Sequence, residues 1–334
     1  MKKIALFFLC NVRFGGFVSY TSHLHRTFSV GGYVPSLYKI GKKTEAKKRN
    51  FNGHVKYQNV SLLDAINIAS SQPTIIVAAY WKQYSEPIRL LLKQNAHLVL
   101  HDPTEYDPNL LKCVQRYKTK VISIRACNVV NLAELQVPSV YIPHPYDPIK
   151  IGKVEKKHHA IALSRIDFDK HTEIIAKANE QLDISNRVAI YGEVNRLYAY
   201  HKLAQATPQW EENYYGRFPL EWDSAVKKTA SAEYVVDMSV IAKDGGGTQY
   251  TFLEAWNGGA DLILNKKWVD NVPDTPVKNA ALFASDEHEL AEMLTGKGKE
   301  TQKKRLKSAK DLLKKHAPLI ILPEYERLLG EKWG

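Results

Sequence analysis

The sequence predicts an α/β protein of two Rossmann-like, doubly wound halves facing a cleft, and three observations predict it. Short apolar runs bounded by turn residues alternate with longer stretches of helical spacing. The alternation breaks once near the middle of the chain and then restarts, and 334 residues is enough chain for two cores. Runs this uniformly apolar read as strands covered on both faces, which is how parallel sheets are built.

In the first half, residues 4–10, 34–38, 74–79, 97–100, 120–124 and 139–142 read as strands. Residues 20–31, 62–70, 86–94 and 109–117 between them have helical spacing. Residues 148–157 are polar and basic with no core pattern, so they read as a linker. Strands are expected again at 160–162, 188–191, 234–237 and 261–264, with helices at 172–182, 221–229, 251–256 and 287–294. The expected domains are 1–150 and 151–322, with 323–334 a terminal helix packing back on the first.

Composition narrows the class of protein. Hydrophobic residues at 44% and charged ones at 25% exclude a disordered or fibrous chain. Cys10, Cys113 and Cys127 have neither metal nor disulfide spacing, so a reducing compartment and no metal site are expected. No apolar run reaches the roughly 18 residues that cross a bilayer. Lys2-Lys3 before residues 4–10 mimics a secretory leader, but the run is short and Asn11 and Arg13 follow, so a first buried strand is expected. Forty-seven Lys and Arg against 35 Asp and Glu give a net charge of +12, which points to a polyanionic partner. Two basic runs stand out. The run at 297–315 reads as a solvated helix face. The run at 39–49, with Lys42, Lys43, Lys47, Lys48 and Arg49, follows the second strand, where open α/β sheets face their ligands.

Chemistry-bearing residues fall at the same kind of place. Gly15-Gly16 at the first strand–helix junction lets backbone N–H groups approach a ligand, although a tight turn alone needs the same pair. No G-x-G-x-x-G fingerprint is present, which argues against a nicotinamide enzyme. His101-Asp102 ends a first-half strand and reads as a positioning or acid/base pair, or else as a histidine satisfied by backbone carbonyls. Arg165 and Lys170, on the loop opening the second half, can bracket a pyrophosphate. Asp167 and Asp169 between them spell D-x-D, read as a structural turn. Gly245-Gly246-Gly247-Thr248 precedes a helix and offers a chain of amide donors. Glu254 lies among Phe252, Leu253, Ala255 and Trp256, where a carboxylate is costly unless it grips a partner.

In order, these segments resemble the retaining GT-B glycosyltransferases of the glycosyl-transfer group-1 type, over most of the chain. The likeness lies in Gly15-Gly16 with Gly32-Tyr33-Val34, in the hinge-like run from Ile142 to Asp147, and in Ser164-Arg165 with Lys170. It continues in Tyr191-Gly192-Glu193, in Tyr215-Gly216-Arg217-Phe218, and in Leu253-Glu254-Ala255 with Gly258-Gly259. The resemblance implies a nucleotide-sugar donor, UDP-linked first of all, held without a metal. Gly15, Gly16, Arg165, Lys170, Tyr191, Gly246, Gly247, Thr248, Gln249, Tyr250, Thr251 and Glu254 would bind the donor. Glu254 would hold the ribose, and His101, Asp102, Arg165 and Lys170 would be catalytic. Two positions depart from the pattern: Gly246 stands where the family has a first Glu, and His171 stands where it has Gly. A narrower likeness, in the run from Tyr250 to Glu254 and in His101-Asp102, is to the phage DNA α-glucosyltransferases.

The resulting expectation is a monomeric, cytoplasmic retaining glycosyltransferase acting on hydroxymethylated pyrimidines of double-stranded DNA, with the 39–49 run on the acceptor. A surface-glycan or lipid-linked transferase, and a non-catalytic nucleic-acid-binding protein on the same scaffold, are the alternatives.

Overall fold

A computed structural model describes residues 2–10, 15–41, 49–51, 55–218, 221–240, 247–296 and 299–333. The chain forms two compact units, Met1–Asp147 with Lys315–Gly334, and Pro148–Lys314. Residues 315–322, expected with the second domain, belong to the first unit, because one helix, Pro318–Trp333, runs on through Pro323.

The first unit carries strands β1 (Lys3–Leu9), β2 (Val34–Ile40), β3 (Arg49–Asn50), β4 (Lys56–Val60), β5 (Thr74–Ala79), β6 (His97–Leu100), β7 (Val121–Ser123) and β8 (Ser139–Tyr141). Their order is β3-β4-β2-β1-β5-β6-β7-β8, parallel throughout except for β3 against β4. β1 is central, with Leu6 beside both Leu37 and Ile75, and Ile4 to Leu9 are buried. The winding reverses between β1 and β5, so their carboxyl ends form the switch point where such sheets bind ligands. β4 is missed by periodicity, since Lys-Tyr-Gln-Asn-Val near the sheet edge has no need to be apolar.

Two helices fix the N- and C-terminal parts of this unit together. Helix Gly16–Val30 packs against Pro318–Trp333 through the Tyr20 and Tyr325 hydroxyls, 2.6 Å apart. Tyr33 adds a hydrogen bond to Glu326 at 2.9 Å. A β-carbon at Gly31 would come within 2.1 Å of Leu322, so glycine is what lets this helix approach.

The second unit carries β9 (His158–Leu163), β10 (Val188–Tyr191), β11 (Ala232–Asp237), β12 (Asp261–Asn265) and β13 (Leu282–Ala284), ordered β10-β9-β11-β12-β13 and wholly parallel. Its winding reverses between β9 and β11. Helices Thr172–Glu180, Ser224–Ala230, Tyr250–Gly258 and Glu287–Thr295 occupy the predicted stretches. The basic run forms helix Lys299–Lys315, anchored by Arg305 on the buried carboxylate of Asp261 at 2.7 Å. The linker-like residues join this unit through Asn257, which accepts from Ile149 N–H at 2.7 Å and donates to its carbonyl at 3.0 Å. Among the described residues no helix is long and apolar enough to cross a membrane.

Candidate functional site

The carboxyl edge of the second sheet gathers most of the charged candidates. The loop after β9 carries Ser164 to His171, and three backbone hydrogen bonds lace its start to the loop after β10: Ser164 to Tyr191, Ile166 to Glu193 and Asn195 to Ile166. Gly192 makes this possible, because a β-carbon there would lie 1.7 Å from the Ser164 carbonyl oxygen. Asp167 caps the short turn Phe168–Lys170, accepting from Phe168 N–H and from Asn195 Nδ2, both at 2.9 Å. It also holds Arg165 at 2.9 Å. Asp169 approaches both cations, Lys170 at 3.2 Å and Arg165 at 3.6 Å. The two aspartates of the D-x-D run thus shape the turn and orient its cations. No group of three or more His, Cys, Asp or Glu that could hold a metal occurs among the described residues. Arg165 is 58% exposed and Lys170 only 14%, so the guanidinium reaches outward while the ammonium is held against the loop. Val240, after β11, donates to the Asp169 carbonyl at 3.1 Å and so brings the second loop of the switch point alongside.

That second loop leads to the glycine-rich run. Gly245 and Gly246 lie outside the described residues, as does Asp244; Gly247 and Thr248 are buried where the chain enters helix Tyr250–Gly258. Gln249 stands at the N-cap without a side-chain capping bond. Tyr250 is buried, Thr251 half-buried. Glu254, one turn on, is half-buried and its carboxylate has no protein partner among the described residues; burial pushes it up to about 8. Tyr191 is committed elsewhere, its hydroxyl 3.1 Å from His158 Nε2 and its ring under Lys228 and beside Tyr215.

A network that sequence reasoning missed lies directly after Lys170. His171 has φ 48° and ψ 41°, the left-handed conformation that glycine takes at no steric cost. Its Nδ1 lies 3.3 Å from Glu173 Oε1. Glu173 also accepts from the Tyr198 hydroxyl and lies 3.4 Å from Lys202 Nζ. Burial alone would raise this carboxyl, but the bonds from His171, Tyr198 and its own backbone N–H hold it down to about 2. Spacing gave no signal for Glu173 or Tyr198; the odd histidine was the trace they left.

The carboxyl edge of the first sheet is of a different kind. Gly15, at φ 92°, is the N-cap of helix Gly16–Val30, and both glycines stand in open space. His101, just past β6, is buried with Nε2 2.9 Å from the Val77 carbonyl and its ring against Phe17 and Tyr20. Burial lowers it to about 4, so it is neutral at physiological pH. Its geometry is that of a histidine satisfied by a backbone carbonyl. Asp102 caps the turn Pro103–Glu105 through Oδ1, which accepts from Thr104, while Oδ2 has no partner among the described residues. Further buried histidines surround this edge: His23 accepts from Asp147 N–H at 3.0 Å, and His316 Nδ1 meets the His144 carbonyl at 2.7 Å. Of the basic run, Arg49 is exposed on β3; Lys42, Lys43, Lys47 and Lys48 lie outside the described residues.

Two parallel Rossmann-like units of this order define the GT-B type of glycosyltransferase fold, and comparison with solved structures supports the same class. Anabaena Alr3699/HepE in complex with UDP superposes with a TM-score of 0.72 at 12% identity, over 99% of this chain and 100% of that one. HepE in complex with UDP-glucose matches to the same extent. An alpha-glucosyltransferase in complex with UDP and a 13-mer DNA containing a HMU base matches with a TM-score of 0.72 at 13% identity, over 98% of this chain and 99% of that one. No family model and no curated protein sequence matches the chain. At such identity the likeness is one of fold.

Proposed function

We propose that this chain is a retaining glycosyltransferase that moves a glucose-like sugar from a UDP-sugar to hydroxymethylated pyrimidines in DNA. The observation that carries the sugar-transfer reading is the carboxyl edge of the second sheet. There the cations Arg165 and Lys170 share one loop, and a carboxylate without a protein partner among the described residues, Glu254, sits on the helix after the neighbouring strand, on a fold matched end to end by UDP-bound structures.

In this reading Arg165 and Lys170 take the donor diphosphate, with the amides of Gly247 and Thr248 beside them. They stabilise the charge that grows on the phosphate oxygen as the bond to the sugar anomeric carbon breaks. Glu254 accepts from the ribose hydroxyls, which restores the polar partner its burial lacks. The acceptor hydroxyl attacks from the face the diphosphate leaves, and its proton departs with UDP. On the first unit Asp102 offers Oδ2 to the acceptor, and His101 acts by fixing the turn that carries it. Arg49 and its lysine neighbours supply phosphate contacts.

The acceptor reading rests on the charge of +12 and on the DNA-bound neighbours. The HepE likeness, equal in TM-score, is to structures holding UDP, glucose or UDP-glucose and so does not single out DNA; the second reading has a glycan or lipid-linked sugar as acceptor. A panel of UDP-sugars against hydroxymethylated DNA, unmodified DNA and oligosaccharide acceptors tests both, read by UDP release and product mass. Release only with hydroxymethylated DNA is expected, together with DNA binding that weakens steeply with salt. Turnover on oligosaccharides alone sinks the DNA reading; no turnover of any donor sinks the enzyme.

A further inference from the structure

We propose that a groove at the outer edge of the second sheet binds one nucleotide of a DNA acceptor strand, the base against an aromatic wall and the phosphate on Arg196 and Arg217. The inference rests on the DNA reading above and goes beyond it, because that reading puts phosphate contacts on the first unit alone. The groove has a volume of about 520 Å³, within the range of ligand pockets, and its walls come from the stretch between Val194 and Arg217. One wall residue, Tyr214, bridges in parallel to Ile190 of β10, the edge strand of the sheet. The proposed donor groups Arg165, Lys170 and Glu254 instead follow β9 and β11, and none of them lines the groove.

Local structure makes the space. The helical turns Arg196–Tyr198 and Ala204–Ala206 flank a π-helical turn, Ala199–Leu203, in which Ala204 N–H donates to the Ala199 carbonyl. Such turns are rare inside helices and frequent at functional sites. This one stacks residues five apart, which an α-helix would turn to different sides. Here the stacked pair is two alanines, Ala199 and Ala204, and both line the groove, so short side chains leave room for a ring. The facing wall is fixed: buried Trp210 packs on Tyr214 with ring centroids 5.4 Å apart, and the Tyr214 hydroxyl donates to the Gly192 carbonyl at 2.8 Å. Tyr200, a third aromatic of the lining, is 72% exposed. Charge selects the ligand. Arg196 has no ion pair among the described residues, and Arg217 is held by Glu193 at 2.8 Å while its side chain stays exposed. Against these two guanidiniums the described lining sets one carboxylate, Glu211. A flat ring joined to an anion answers both features, and bases stacked on aromatic side chains with phosphates on cations is how single strands are held. A neutral glycan would leave Arg196 unanswered.

The test is fluorescence anisotropy of a labelled single-stranded oligodeoxynucleotide with the full chain, Arg196→Ala, Tyr200→Ala and Lys314→Ala. Arg196 and Tyr200 are exposed, so their variants keep the fold, which a melting curve checks. Each of the two should bind the strand about tenfold more weakly. Arg196→Ala should also lower the slope of log affinity against log salt by about 0.7, as loss of one phosphate contact on a single strand does, while Tyr200→Ala leaves the slope alone. On an abasic strand, which keeps its phosphates, Tyr200→Ala should bind like the full chain and Arg196→Ala should remain weaker. Lys314→Ala, which removes an exposed charge from helix Lys299–Lys315, should bind like the full chain throughout. Unchanged binding in Arg196→Ala and Tyr200→Ala overturns the proposal and leaves the DNA reading standing. So does an equal loss in Lys314→Ala, which marks net charge, or an equal loss of Tyr200→Ala binding on the abasic strand. An uncharged oligosaccharide that binds more tightly than DNA, and is lost in the same variants, overturns the choice of ligand. A full chain that binds no DNA overturns the DNA reading itself, and the inference with it.

Discussion

The two sheets present their carboxyl edges in opposite electrostatic states. At the second, cations and carboxylates share one loop, Arg165 is largely exposed, and Glu254 is lifted to about 8 with no protein group among the described residues to answer it. At the first, burial lowers His23 to about 3 and His101 to about 4, and His101 leans on a backbone carbonyl. A polar group that the fold leaves unanswered is one that a ligand can answer; a polar group already answered by the backbone belongs to the structure. By that criterion the second edge, with an exposed guanidinium and an unanswered carboxyl among the described residues, is where the proposed donor would be met. At the first the histidines are answered by the backbone, and Asp102 Oδ2 and the buried Glu105 Oε1 are left without a hydrogen-bond partner among the described residues.

The largest expected effect comes from breaking the charged edge. Arg165→Ala and Lys170→Ala should each lower kcat/KM for a UDP-sugar by about a hundredfold or more, as loss of a preorganised charge at a leaving group does elsewhere. Thermal unfolding of Arg165→Ala should change by no more than about 1 kcal/mol, since the guanidinium itself is largely exposed. Steady-state kinetics alongside a melting curve separates the two outcomes. An Arg165→Ala protein that turns over normally would remove the distinction between the edges.

Glu254 sharpens the comparison through pH. Its native carboxyl is raised to about 8 from an ordinary value of 4.5, so the folded state keeps a proton that the unfolded state releases. Stability is therefore full below the ordinary value and falls as pH rises toward 8. If Glu254 holds the ribose as proposed, donor affinity should run the other way, rising with pH up to about 8 as its carboxylate forms. Glu254→Gln should weaken UDP binding by about tenfold and flatten both pH trends. Its melting temperature at pH 8 should exceed that of the parent by about 2 °C.

How much of this was legible in the sequence follows from the same physics. Strands at 74–79, 97–100 and 188–191 match their apolar runs residue for residue, because strands buried on both faces are written by burial alone. β4, β13 and helix Ala126–Glu134 were missed: the first is polar near an edge, the second very short, and the third reads Ala-Cys-Asn without a helix-start signal. In the site, Arg165, Lys170 and Glu254 were visible because charge at a strand's end or within an apolar turn is conspicuous. Glu173 and Tyr198 were not: Glu173 lies two residues past His171, a spacing that matches no motif, and Tyr198 reaches Glu173 only from a separate segment. Tyr191 illustrates the converse, a motif position whose side chain the fold spends on His158 and Lys228.

The neutral edge has its own pH signature. His23, His101 and His316 sit below their ordinary value of 6.5, driven down first by burial, and His144 lies well below it. Their neutral forms stabilise the fold fully above that value, and the contribution is lost as pH falls toward 4, because the unfolded chain takes up protons the native state refuses. Melting temperature should therefore drop between pH 7 and pH 5, and His23→Asn should recover part of the drop, by about 1 kcal/mol. Unfolding midpoints that stay flat across this range would mean these histidines are protonated in place.

The smallest effect expected is also the cleanest separation of the two edges. Tyr20 joins the His101 ring to the terminal helix: its ring packs on His101 at 4.9 Å and its hydroxyl meets that of Tyr325 at 2.6 Å, both side chains buried. Tyr20→Phe leaves the Tyr325 hydroxyl without this partner, and Tyr325→Phe does the reverse, so each single change should cost about 1 kcal/mol. The double change removes both hydroxyls together and should recover most of that, since two apolar rings of nearly the same shape remain in contact. Urea unfolding of the four proteins measures the coupling. UDP-glucose affinity should be the same in all four, because the proposed donor contacts, Arg165, Lys170 and Glu254, do not include this pair. A change in affinity that tracks the hydroxyls would mean that the first edge takes part in holding the donor, and the division argued here would have to be redrawn.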